Sequence, residues 1–123
     1  MRITPTEPPR VFEVGQGRRI RLKDCARIEL APEEQVTFVT DSGAEYDVAR
    51  TSWGFYATPS LNGRLAAQGL RGVLVRNLER RIYLWLVERG REGEFEAYLR
   101  QEAHTVLCWL DQDRDWTRLE GAA

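Results

Sequence analysis

Glu92-Gly93-Glu94-Phe95-Glu96-Ala97-Tyr98-Leu99-Arg100-Gln101-Glu102-Ala103-His104-Thr105-Val106-Leu107-Cys108-Trp109-Leu110 carries the clearest periodicity in the chain. Phe95, Tyr98, Leu99, Ala103, Val106, Trp109 and Leu110 return at spacings of three and four, the period of an amphipathic helix. Glu92, Glu94 and Glu96 favour the positive end of a helix dipole, and Gly90 and Gly93 fit its start. One long helix is therefore expected over about 92–110, with Arg100, His104 and Cys108 turned away from the apolar stripe.

Upstream of this helix the pattern changes to short apolar runs broken by turn residues, which is the strand signature. Residues 72–78 and 81–88 read as a hairpin through Glu79-Arg80, and its second strand, Ile82-Tyr83-Leu84-Trp85-Leu86-Val87, is apolar at every position. Such a strand needs cover on both faces, from the fold's own layers or from a partner. Residues 35–50 read as a second hairpin turned by Asp41-Ser42-Gly43. Ile20 and Leu22, then Ala26, Ile28 and Leu30, alternate with charged residues as two half-buried strands. Residues 60–69 suggest a short helix with Ser60 at its N-cap and Gly69 just past its end. The expected fold is α+β: a mostly antiparallel sheet of about six to seven short strands with one long C-terminal helix across a face. Residues 1–9, with three prolines, read as a loose leader, residues 10–111 as a single domain, and residues 112–123 as a polar tail.

The 123 residues, 42% hydrophobic and 30% charged, fit one globular domain and exclude collagen-like and low-complexity classes. No apolar run approaches the roughly 18 residues of a membrane span, and no apolar core of a signal peptide follows Met1, so no membrane partner is expected. Cys25 and Cys108 have no metal-ligand spacing, and two isolated thiols point to a reducing, cytoplasmic setting. Charge comes in blocks: +3 over 1–31, −4 over 32–60, +5 over 61–91 and −5 over 92–123. Blocks that cancel can attract one another within a fold or between subunits, whereas a dedicated nucleic-acid binder carries an uncompensated basic surplus.

No complete catalytic motif is present, and no cofactor is implied. His104 is the only histidine, so a multi-histidine metal site cannot be built within one chain, and no metal is expected. Asp111-Gln112-Asp113-Arg114-Asp115 opens like a calcium loop but has Trp116 where glycine is required and Ala122 where glutamate is required. Gly15-Gln16-Gly17 lacks the third glycine of a dinucleotide fingerprint and leads into a strand. Residues 51–64 are the most site-like stretch. Trp53 and Tyr56 offer aromatic faces, and Asn62 and Arg64 offer fixed polar groups, as a sugar or nucleotide pocket needs. The plain alternative is that Trp53 and Phe55 are core residues of a strand. Glu102 falls in the helix's apolar stripe, where a carboxylate is paired, protonated or at a rim, and it is the one weak candidate for acid–base work. Tyr83 and Trp85 among the arginines of 64–91 could in principle stack RNA bases, but the core-like strand and the acidic helix after it argue against nucleic acid. The leading expectation is a domain that acts by binding, as a homodimer or with a protein partner, through Tyr83, Trp85 and Val87. A small-molecule site at Trp53, Tyr56, Asn62 and Arg64 is the alternative.

Overall fold

The computed structural model describes residues 1–18 and 20–121. Among them the strands are β1 (Arg2–Val14), β2 (Ile20–Glu29), β3 (Gln35–Val39), β4 (Glu45–Thr51), β5 (Gly54–Ala57), β6 (Leu70–Arg76), β7 (Ile82–Glu88) and β8 (Thr105–Trp109). The α-helices are α1 (Arg64–Ala67), α2 (Glu92–Glu102) and α3 (Asp113–Gly121). The strands form three small antiparallel sheets in the orders β1-β2, β3-β4-β5 and β7-β6-β8.

The fold is thus mostly β, and the long C-terminal helix expected over 92–110 does not form. α2 begins where expected but stops after Glu102, because Ala103 turns into the left-handed region at φ 54°. The His104 amide then closes the helix end by donating to the Leu99 carbonyl at 2.9 Å. An L-residue in that region costs about 1–2 kcal/mol, so something must oppose continuation. Thr105, Val106 and Trp109 are β-branched or aromatic, and β6 offers an edge onto which they add a ladder as β8. Thr105–Trp109 satisfies a period of two as readily as one of 3.6, and the non-local pairing decides between them.

The chain forms two compact units. The first comprises residues Met1–Val36 and Val48–Tyr56; the second comprises Thr37–Asp47 and the chain from Ala57 onward. In the second unit, α2 lies on one face of the β7-β6-β8 sheet, where Val73, Val75, Val87 and Leu99 make a buried cluster joined by Trp85, Phe95, Val106 and Trp109. Each of these valines removed from water contributes about 1.5–3 kcal/mol. The other face carries a second cluster of Ala44, Leu65 and Leu70, with Tyr46, Leu61 and Leu86 against it.

Both expected hairpins form. In the β6–β7 hairpin the Asn77 side-chain oxygen accepts from the Glu79 amide at 3.0 Å and the Arg81 amide at 2.9 Å, which fixes the turn. In the β3–β4 hairpin the Thr40 amide donates to the Ala44 carbonyl at 3.0 Å. The short helix shrinks to Arg64–Ala67; Ser60 Oγ accepts from the Arg64 amide at 3.2 Å, and Gly69 lies just past the end with φ +87°. Gly72 permits close packing, since a Cβ there would lie 3.0 Å from Leu61 Cδ2.

In the first unit, β1 and β2 form a two-stranded ribbon. Residues 2–9, expected as a loose leader, run within β1, with a register shift between Pro5 and Arg10. The two strands expected around residues 20–30 are one, β2. Residues 113–121, expected as a polar tail, form α3, which half-buries Trp116; Ala122 and Ala123 lie outside the described residues.

Candidate binding groove

β3 and β7 are edge strands of their respective sheets. In the second unit, Phe38 and Val39 at the end of β3, the following Thr40, and Leu86, Val87 and Glu88 at the end of β7 line a groove of about 550 Å³. Successive residues of a strand point to opposite faces, so consecutive liners, two from β3 and three from β7, mean that the groove meets both strands at their edges and not at one face. Tyr46 from β4, with Phe95 and Tyr98 from α2, adds aromatic surface. The volume falls in the range of small-molecule and peptide sites, and the lining is mainly apolar.

Polar groups gather at Glu88. Its Oε1 accepts from Thr40 Oγ1 at 2.8 Å and from Ser42 Oγ at 2.5 Å, and its Oε2 lies 3.3 Å from Arg91 Nε. The Ser42 and Thr40 hydrogen bonds, with Arg91 close by, hold the Glu88 carboxyl below the usual carboxylate range. Arg91 also reaches Glu94 at 3.3 Å. These groups are committed to one another, which suits a rim that orients a ligand better than a base that removes a proton. Burial holds the phenols of Tyr46 and Tyr98 above the usual range, and for Tyr98 the negative charge of Glu102 adds to it.

The chain matches no protein-family model, no curated protein and no solved structure.

The residues expected to form a small-molecule site are divided between the two units. Trp53 and Tyr56, in the first unit, stack with centroids 5.9 Å apart, and Trp53 is 73% exposed at the β4–β5 turn. Neither Trp53 nor the exposed Phe55 is the core residue of the plainer reading. Asn62 and Arg64 belong to the second unit. Arg64 donates to Asp47 Oδ2 at 2.9 Å and to Thr58 Oγ1 at 3.0 Å, so its guanidinium serves a buried carboxylate. Asp47 is 5% exposed and also accepts from Thr37 and Gln68, which hold its carboxyl below the usual range. Asn62 borders a polar hollow of about 340 Å³ with Arg71, Arg89, Glu92 and Asp111. There Arg71 grips Asp111 through two bonds of 2.7 and 3.1 Å and lies 4.0 Å over the Trp109 ring.

Two of the expected partner-facing trio are covered from within. Val87 is in the core, and Trp85 packs against Phe95, Tyr98 and His104 of or just after α2; Tyr83 alone is exposed. The sheet's open aliphatic side chains are the alternate ones, Ile82 and Leu84, at 62% and 53% exposure. Glu102, expected to be paired, protonated or at a rim, is 2% exposed at the last turn of α2. His104, expected on a polar helix side, instead comes after the helix and packs on Trp85 and Tyr98, with its Nδ1 buried.

Sequence reasoning missed the groove. Its one local signal is the consecutive apolar pair Phe38-Val39, both exposed, which breaks the alternation of a half-buried strand. Among the described residues, no group of three or more His, Cys, Asp or Glu could hold a metal ion, and no helix is long and apolar enough to cross a membrane.

Proposed function

We propose that this chain works by binding an extended segment of a partner polypeptide in the groove between β3 and β7. What supports this reading is an apolar, aromatic-lined groove bordered by consecutive residues of two strands that each lie at the edge of a sheet. An extended peptide can hydrogen-bond to a sheet edge through its main chain and place alternate side chains against the aromatic surface. Glu88 and Arg91, paired at one end, mark the register. The free thiols Cys25 and Cys108 support a reducing, cytoplasmic setting.

The small-molecule alternative draws less support, because Arg64, its key polar group, already serves Asp47. An RNA surface also draws less, since Trp85 is turned to α2 instead of being displayed for stacking.

The test is selection from a phage-displayed peptide library, followed by fluorescence polarisation of the selected peptides against the protein and its Phe38→Asp variant. Phe38 is exposed, so the fold survives the change. Selected peptides should alternate apolar residues and lose at least tenfold in affinity on Phe38→Asp. Peptides indifferent to that substitution would sink the proposal.

A further inference from the structure

The β1–β2 ribbon of the first unit segregates its side chains by face. The direct pairs Ile3–Ile28, Pro5–Ala26, Phe12–Leu22 and Val14–Ile20 alternate along β2 with the positions of Arg21, Lys23, Arg27 and Glu29. All of the apolar pairs therefore share one face. A single charged pair, Arg10 and Asp24, sits mid-way on that same face at 3.6 Å, with the Arg10 guanidinium 5.0 Å from the Phe12 ring. Ile3, Phe12, Leu22 and Ile28 are nevertheless between 37% and 54% exposed. Of the buried apolar residues described, Ala49 alone belongs to the first unit. A two-stranded ribbon without a covering layer is at best marginally stable in water, and an apolar face of this length calls for a second layer.

We infer that the apolar face of the β1–β2 ribbon is a homodimer interface, in which the ribbons of two copies stack face to face. The occupant is set by charge and symmetry. A twofold axis running along the ribbon lays β1 of each copy over β2 of the other. Ile3 then faces Ile28, Phe12 faces Leu22, and Arg10 of each copy faces Asp24 of the other. A twofold axis across the ribbon would oppose like charges. The Arg10–Asp24 separation is long for a charge-assisted hydrogen bond, and the pair's side chains are 70% and 40% exposed, so both groups have capacity left for the second copy. Isologous dimers are the commonest closed assemblies, and face-to-face sheets about 10 Å apart are the standard way to cover such a surface. None of the ribbon residues lines the groove, and the inference does not rest on the proposed peptide binding.

Sedimentation equilibrium at tens of micromolar tests the inference. The expected mass is twice 14.2 kDa for the native chain and 14.2 kDa for Leu22→Asp, with circular dichroism unchanged. Arg10→Asp and Asp24→Arg, taken singly, place like charges across the interface and should each be monomeric. Mixed in equal amounts, they should recover the dimer, because every charge then meets its opposite in the other copy. Leu22→Ser provides an uncharged disruption should a charge variant fail to fold. A monomeric native chain, a dimer that persists in both Leu22 variants, or a mixture that stays monomeric would overturn the inference.

Discussion

Thr40 Oγ1 donates to Glu88 Oε1 at 2.8 Å across 48 residues of sequence, tying the β3–β4 turn to the end of β7. With the parallel bond from Ser42, this contact closes one end of the groove and holds the Glu88 carboxyl low.

Acid should therefore loosen the second unit. Glu88, Asp47, Glu92 and Asp111 all ionise more readily folded than unfolded, chiefly through side-chain or backbone hydrogen bonds. A depressed folded pKa contributes stability that is complete above the unfolded value, about 3.9–4.3, and is lost as pH falls through the lower folded value. Melting temperature should hold between pH 7 and 5 and drop below about pH 4, with a shallower drop in Glu88→Gln. The phenols of Tyr46 and Tyr98 act in the opposite sense: raised when folded, they make stability fall as pH climbs past about 10. A melting temperature that rises from pH 5 to 3 would contradict the assignment.

Trp85 and Leu84 are neighbours in β7 with opposite fates. Trp85→Ala should cost about 3 kcal/mol or more in urea denaturation, because it empties the space between β7 and α2. Leu84→Ser, on the open face, should cost less than about 1 kcal/mol. A larger cost for Leu84→Ser than for Trp85→Ala would mean that the facing of β7 is reversed.

Arg71→Lys should destabilise the second unit by about 1.5 kcal/mol despite keeping the charge. Lysine cannot reproduce the fork on Asp111 or the stacking over Trp109. Unchanged urea midpoints in the lysine variant would show that only the charge matters.

Trp53→Ala should leave stability within about 0.5 kcal/mol, as expected for an exposed side chain. It should also remove the most iodide-accessible part of the tryptophan fluorescence, since Trp53 is the exposed indole of the β4–β5 turn. Loss of folding would restore the core reading of this stretch.

Elements whose signals lie within a few residues were legible in the linear chain. The turns at Asp41-Ser42-Gly43 and Glu79-Arg80 stand where the pattern put them, although the side chains that hold them are the adjoining Thr40 and Asn77; Gly69 ends α1, and the acidic first turn starts α2. The course of the chain beyond Glu102 is set by tertiary contacts: an edge of β6, some thirty residues away in sequence, draws Thr105–Trp109 into a ladder and forces Ala103 into a left-handed turn. The same holds for the start of β1, where β2 pairs with residues 2–5 and takes up the ladder again at Arg10 across a proline-containing register shift, and for the groove, which exists because β3, β7 and α2 converge. Turn chemistry and helix caps act over three or four positions and can be read in order along the chain. Strand pairing, and the choice of which face of β7 receives α2, depend on partners distant in sequence, and no local pattern encodes them.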